Sequence, residues 1–417
     1  MATGQARLGD GSPSTGDEAP EATDVIIVAD GGDGETVTRP REQPPPTTGA
    51  RAAPISRSLP SATGAGEPAR RFQPSRAGIA TRTAVAALIP AVVLLLPLPL
   101  DNVWRSRMSL AVIFAVIGLS VNVITGHAGQ ISLGHQAFVG IGAFISAYVV
   151  ARFNFGMSFM VAGLTGAVLA LILGLVALRI RGLYLALITL AFGLMAENTI
   201  FNLRGFTGGG AGASAPRPAL FRSDLAYVYL CLAVLAVFLC VDWRLLSTKA
   251  GRAIVALRND ERVAATLGVN VTSYKLLAFV LGGFMAGIAG SLFAHWNQFV
   301  QAEDFELRRA LIWVLMAVVG GLGSRAGVVI GSAFFALFDF IVADFAGGST
   351  WHLPLVGDVL VIILTPLFGA FLLLLTLTLY PGGIGQQLMP VRRWLAGGPF
   401  LGHENRRRLR AKREKRD

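Results

Sequence analysis

The sequence predicts an all-α integral membrane protein of about ten transmembrane helices, with a broken or re-entrant segment and a disordered N-terminal tail. Three observations predict it. Of 417 residues, 53% are hydrophobic and 15% charged, and mean hydropathy is +0.59, outside the range of ordinary soluble domains. Several long stretches contain no Asp, Glu, Lys or Arg. The charge that does occur is gathered at the two ends and in one internal block.

In chain order, residues 1–76 hold 10 of the 20 prolines, with 8 basic and 10 acidic side chains and no sustained apolar periodicity. That composition predicts a disordered cytoplasmic tail. It lacks the basic-then-apolar start of a secretory signal. Residues 77–390 form the expected transmembrane domain, with a cytosolic loop at 243–275, and residues 391–417 form a basic cytoplasmic tail with 10 basic and 3 acidic residues.

A spanning helix needs about 20 mainly apolar residues, because lipid offers no partner to an unpaired backbone N–H or C=O. Residues 108–151 are free of charge and long enough for two spans with a break between them. Charge-free runs at 153–178, 276–302 and 359–391 each supply one more. Shorter candidates are 84–100, 183–203, 225–241, 310–322 and 326–345. The last two meet at Gly320-Gly321-Leu322-Gly323-Ser324-Arg325 and can equally be read as half-spans or a re-entrant pair. Placing Arg82 inside gives 23 basic residues in the inner segments against 8 in the outer ones. Both termini are therefore expected in the cytoplasm.

Several functions are disfavoured by what the chain lacks. The net charge of +11 and pI near 10.4 come mainly from the C-terminal tail and inner loops, without the folded basic surface that nucleic-acid binding needs. Cys231 and Cys240 share one apolar run and offer no disulfide framework. His127 and His135 stand eight apart with no carboxylate or Cys between them, so no metal site is expected. No phosphate-cradling G-x-x-x-x-G-K-[ST] loop, G-x-S-x-G elbow or H-E-x-x-H helix is present. No catalytic residue and no cofactor is expected.

The most informative stretch is Gly118–Tyr148, GLSVNVITGHAGQISLGHQAFVGIGAFISAY. It sets Asn122, His127, Gln130, Ser132, His135 and Gln136 among Gly126, Gly129, Gly134, Gly140 and Gly142. Polar groups persist at membrane depth where they pair with protein or line water, and glycines permit irregular backbone there. One reading is a broken helix bordering a substrate pathway, with Asn122, Gly126, Gly129, Gln130, Ser132, Gly134 and His135 along it. The other is a cytosolic turn between two spans, with glycine faces used for helix packing.

The second block, WRLLSTKAGRAIVALRNDERVAATLGVNVTSYK at 243–275, is the one long internal segment rich in charge. It reads as a helix from Gly251 to Leu267 stopped at Gly268. Such an amphipathic segment suits a partner's groove or the bilayer surface. Glu197, Asp339 and Asp344 are the candidates for charge within spans, and Gly283-x-x-x-Gly287 reads as a packing motif.

Four blocks together carry a family likeness: GHAGQISLGHQAFVGIGAF at 126–144, RIRGLYLALITLAFG at 179–193, GRAIVALRNDERVAATLGVNVTSYKLLAFVLGGFMAGIAGSLFAH at 251–295, and VVGGLGSRAGVVIGSAFF at 318–335. Over roughly residues 108–345 the chain resembles the LivM-like permease subunits of branched-chain amino-acid ABC importers. The resemblance implies a multi-pass subunit of the bacterial plasma (inner) membrane, surrounded by membrane lipid. Its implied partners are a second, LivH-like permease, two cytosolic ATPase subunits and an extracytoplasmic solute-binding protein, with ATP chemistry confined to the ATPases. It also implies that the charged block is the element coupled to the ATPases, through Arg258, Asp260, Glu261, Arg262, Ala264, Ala265 and Gly268. Val263–Gly268 resembles a degenerate EAA loop without its leading Glu and later Leu-Pro. Gln136 stands where the family usually has a small residue, and Arg308-Arg309 where a span usually begins with Ser or apolar residues. The expected substrate is a branched-chain or related apolar amino acid, with urea, short amides and aromatic amino acids as alternatives. The rival readings are a self-contained secondary transporter and a membrane-embedded enzyme, which would need a site of its own within the bundle.

Overall fold

The computed structural model describes residues 87–391 except 89, 178–181, 209–210, 349–366, 368–370, 372–373, 376–377 and 379–381. The tail expected at 1–76, all but Val391 of the tail expected at 391–417, and most of the span expected at 359–391 lie outside the described residues.

The helices in chain order are α1 (Asn102–Val121), α2 (His135–Val150), α3 (Phe155–Ala177), α4 (Leu183–Asn198), α5 (Arg204–Thr207) and α6 (Asp224–Ser247). They continue with α7 (Lys249–Asn259), α8 (Glu261–Thr266), α9 (Val271–Asn297), α10 (Leu307–Gly320), α11 (Arg325–Gly348) and α12 (Gly383–Gln387). Two short strands, β1 (Ala213–Ser214) and β2 (Phe299–Val300), pair antiparallel. Among the described residues five helical stretches are long and apolar enough to cross a bilayer: Asn102–His127, Phe155–Val176, Leu183–Asn202, Asp224–Ser247 and Val271–Asn297.

Helix starts follow local side-chain chemistry. Asp101 caps α1 by accepting from Trp104 N at 3.1 Å, Ser223 caps α6, Thr248 caps α7 and Asn270 caps α9, each oxygen satisfying an N–H that the first turn leaves unpaired. Gly182, at φ 67°, supplies the turn into α4. At the far end of α9, Arg217 donates to the carbonyls of His295 and Trp296 and pairs with Asp224 at 2.6 Å, so a cation sits at the negative end of the helix dipole.

The spans divide into a core and a periphery. The most apolar stretches of α1 and α9 are 94% and 72% buried within the chain, against about a third or less for α3, α4 and α6. α1 and α9 therefore form the centre together with α2, and the others present much of their apolar surface to lipid. Since hydrocarbon gives no hydrophobic drive to helix association, backbone proximity has to supply contact. Glycine provides it: a Cβ on Gly142 of α2 would lie 2.5 Å from Gly287 Cα of α9, and one on Gly283 would lie 2.5 Å from the Gly166 carbonyl oxygen of α3. The expected packing role of Gly283-x-x-x-Gly287 is observed.

The two short apolar runs at 310–345 form a helical hairpin. α10 has 14 residues, about 21 Å at 1.5 Å per residue, too short for a hydrocarbon core of about 30 Å. It turns into α11 through Gly321 (φ 102°) and Gly323 (φ 88°), closed by Ser324 N donating to Gly321 O at 3.0 Å. Glu197 accepts from Leu307 N at 3.1 Å, so this half-buried carboxylate sits at the positive end of α10. Asp339 and Asp344 fall on α11, and their side chains lie outside the described set.

The charged block corrects one expectation. It is not one helix from Gly251 to Leu267 but two, α7 and α8, parted at Asp260, whose backbone is extended at φ −159° and ψ 114°. The Asp260 carboxylate accepts from Arg262 N at 2.8 Å and Val263 N at 3.1 Å, so the residue ends one helix by capping the next. Gly268 stops α8 at φ 80°, as expected.

Candidate functional site

The polar segment begins where α1 stops being α-helical. From Asn122 to His127 the backbone widens into a π-helical turn, with Ala128 N bonding to Val123 O at 3.3 Å. Such turns concentrate at functional sites because they cost backbone energy. Its residues explain its geometry. A Cβ on Gly126 would collide with the Asn122 side chain and lie 2.8 Å from Gly323 N, so glycine is the residue that fits. The Asn122 oxygen accepts from Gly323 N at 2.7 Å, binding the end of α1 to the α10–α11 turn.

Beyond the break the chain runs back alongside α1. Gln130 N donates to Ile124 O at 3.1 Å, and the Thr125 hydroxyl donates to Gln130 O at 3.2 Å. The Gln130 amide folds onto Ala128 O. Leu133 N donates to the Thr189 hydroxyl of α4 at 3.0 Å, and a Cβ on Gly134 would collide with the Thr189 carbonyl. The segment is thus both irregular and largely buried; Gly129, at φ 68°, and Ile131 are its exposed points.

Two polar clusters flank the break. In the first, His127 Nε2 lies 2.8 Å from the Asp242 carboxylate of α6, and Asp242 also accepts from Arg325 Nε at the start of α11. A carboxylate supplies no proton, so Nε2 carries the hydrogen. The Asn122 amide nitrogen, 3.4 Å from the same atom, then finds no acceptor there. Asp242 is fully buried and Arg325 partly exposed. A cation at a helix N-terminus is unfavourable by itself, and Asp242 offsets it.

In the second cluster, His135 Nε2 lies 2.7 Å from the Ser120 hydroxyl, whose single proton goes to Ile117 O at 2.6 Å. Nε2 is therefore the donor and Nδ1 presents a bare lone pair. That Nδ1, the Ser132 hydroxyl and both amide atoms of Gln136 are buried without a partner among the described residues. Buried polar atoms are nearly always satisfied, so these four are donors and acceptors open to a partner from outside the chain.

The charged block is hydrogen-bonded to the break through Arg258. Ile254 and Leu257 of α7 are buried, and in the last turn Arg258 Nη1 donates to Gly126 O at 2.5 Å. Gly126 lies in a terminal turn whose carbonyls lack helical partners, so the guanidinium acts as a cap and places positive charge at the negative end of α1. Of the other coupling candidates, Glu261 pairs with the buried Lys275 of α9 and Ala264 packs inward. Arg262, Ala265 and Gly268 are exposed.

Sequence reasoning missed Asp242 and Arg325. The signal was available, since Asp242 follows an apolar run without a break in the helix and Arg325 is the lone cation of its turn. Among the described residues no group of three or more His, Cys, Asp or Glu side chains could hold a metal ion. A cavity of about 390 Å³ between α1, α6 and α11, lined by apolar groups such as Trp104, Leu232 and Leu337, shares no residue with the polar clusters.

Comparison with known proteins matches residues 106–365 to the family described as branched-chain amino acid transport system / permease component. The high-affinity branched-chain amino acid transport system permease protein LivM of Salmonella typhimurium is 30% identical over 288 residues, covering 61% of this chain and 67% of that protein. LivM of Escherichia coli gives the same identity and coverage. The autoinducer 2 import system permease protein LsrC of Escherichia coli is 28% identical over 302 residues, 67% of this chain and 85% of that one. The matched range contains the π-helical break, both polar clusters, the charged helix pair and the α10–α11 turn, and on that match the chain belongs to the branched-chain amino acid transport permease family.

Proposed function

We propose that this chain is the LivM-like permease subunit of an ATP-driven importer of branched-chain or related apolar amino acids, moving substrate by alternating access. The observation that carries the coupling is the outer face of the α7–α8 pair. On this charged, amphipathic element Val255, Val263 and Leu267 are 39%, 55% and 77% exposed, while Ile254, Leu257 and Ala264 are buried on the other side. Apolar side chains displayed on a polar helix pair, pointing away from the bundle, suit a partner's groove. In this reading the partner is a cytosolic ATPase subunit, with α7 and α8 on the cytoplasmic side of the bacterial inner membrane and both termini on that side by the distribution of Lys and Arg. A second, LivH-like permease and an extracytoplasmic solute-binding protein complete the assembly.

The solute path runs past the polar segment 122–136. A segment with unpartnered hydroxyl, imidazole and amide groups and no Asp, Glu, Lys or Arg of its own suits a zwitterion with an apolar side chain, supported by the identity to LivM; the likeness to LsrC keeps autoinducer 2 as the alternative. The test is Leu267→Asp with Val263→Asp. Loss of ATPase co-purification together with loss of ATP-dependent leucine uptake is expected. Undiminished association and uptake would refute the docking assignment.

A further inference from the structure

We propose that Arg258 is the positioning residue that transmits movement of the α7–α8 pair to both irregular segments of the bundle at once. This deepens the coupling reading above and rests on it. One guanidinium serves both breaks. Its Nη1 donates to Gly126 O at the π-helical end of α1, and the same nitrogen lies 2.8 Å from where a Cβ on Gly323 would stand, against the α10–α11 turn. The aliphatic stem of Arg258 lies along the Gly129 backbone, where an added Cβ would be 3.1 Å from Arg258 Cγ. Gly129 and Gly323, both at positive φ, thus leave room for the Arg258 side chain, while Gly126 leaves room for the Asn122 side chain and Gly323 N.

The two breaks are also bonded to each other, through Asn122 and Gly323 N at 2.7 Å. Ser132, His135 and Gln136, with their unpartnered polar atoms, follow the π-helical break in the chain. On the partner side, α7 is seated by Ile254 and Leu257, and α8 is tied to α9 by the Glu261–Lys275 pair. A push on the exposed face of α7–α8 therefore reaches the α1 end and the α10–α11 turn through Arg258. The planar guanidinium suits this task, holding a carbonyl in fixed geometry.

The test uses the assembled importer in proteoliposomes and reads two rates, ATP hydrolysed and leucine moved. For Arg258→Ala the expected result is hydrolysis within about twofold of wild type and a fall of about tenfold or more in leucine moved per ATP, the size expected for losing one charge-assisted hydrogen bond from the coupling step. Arg258→Lys keeps a cationic donor and is expected to recover most of the ratio. A wild-type ratio in Arg258→Ala overturns the proposal. So does a parallel fall in both rates that leaves the ratio unchanged, which a purely structural role would give. If Arg258→Ala does not accumulate in the membrane, Asn122→Ala decides: it cuts the link between the breaks, and an unchanged ratio overturns their acting as one unit. Leu267→Asp separates the two levels. Lost ATPase association in Leu267→Asp with normal coupling in Arg258→Ala refutes the transmission role alone. Intact association and uptake in Leu267→Asp refutes the docking on which it rests.

Discussion

Replacing Gly142 by alanine pits two effects of opposite sign against each other. Alanine in a helix interior is favoured over glycine by about 1 kcal/mol, so propensity alone makes Gly142→Ala stabilising. Packing opposes it. The new Cβ would stand 2.5 Å from Gly287 Cα and 2.8 Å from Gly287 C, about 0.9 Å and 0.6 Å short of the 3.4 Å at which ordinary contact begins. These are backbone atoms of a helix and cannot rotate aside, so α2 and α9 must separate. A gap of about 0.5–1 Å forfeits a quarter to a half of each dispersion contact along the crossing, and core overpacking of this kind costs about 1–3 kcal/mol or more. The expected net effect is a loss of about 1 kcal/mol, rising to about 2 kcal/mol where the helices cannot relax. Gly156 is the internal control: in the first turn of α3 its nearest neighbour to a new Cβ is the Asn154 side-chain oxygen at 3.7 Å, so Gly156→Ala is neutral or slightly stabilising. Reversible unfolding of the purified subunit in mixed micelles measures both variants. A Gly142→Ala protein as stable as wild type, or shifted in the same direction as Gly156→Ala, would refute the argument that backbone approach holds the core together.

Three further outcomes follow from the polar clusters and the bend. Gln136→Leu removes two buried unpartnered atoms at similar volume, so thermal stability is expected to hold or rise, while leucine uptake falls severalfold if the amide meets the solute; uptake at the wild-type level would remove Gln136 from the path. Asp242→Asn keeps the shape but leaves Arg325 without its counter-charge; because that guanidinium is partly exposed and can be hydrated, a loss of about 2 kcal/mol is expected, below the 3–5 kcal/mol of a fully buried pair, and unchanged unfolding would contradict it. Asp260→Ala deletes the cap of α8 and is expected to cost about 1 kcal/mol locally, seen as faster amide exchange at Arg262 and Val263; unaltered protection there would show that the cap does not hold the bend.

The membrane class of the chain was legible from composition because lipid imposes one requirement, paired backbone over about 20 apolar residues, that hydropathy reads directly. The segment around Gly126–Gly134 was equally visible, since polar and glycine residues inside an apolar run break the pattern. Its companions were not. Asp242 and Arg325 are 83 residues apart, and only the fold makes them one ion pair with His127. Arg258 read as one of several charges on a coupling block, and nothing in its spacing distinguishes it from Arg252 or Arg262; its reach to Gly126 across 132 residues does. The division of that block into α7 and α8 was missed because Asp260 fits a helical pattern by position, while its side chain bonds better as a cap than as a helix-interior residue. The α10–α11 hairpin was left open between spans and half-spans, and helix length settles that α10 does not cross the bilayer alone.

The account as a whole turns on whether this chain moves solute only when ATPase partners hydrolyse ATP. The direct measurement is uptake of radiolabelled leucine, isoleucine and valine, with urea for comparison, into proteoliposomes holding the assembled importer. It is made with ATP, with a non-hydrolysable analogue, and with the ATPase subunits left out. The account predicts leucine-group accumulation that requires both hydrolysis and this chain. Accumulation that persists without the ATPase subunits, or ATP hydrolysis with no leucine-group uptake, would contradict it.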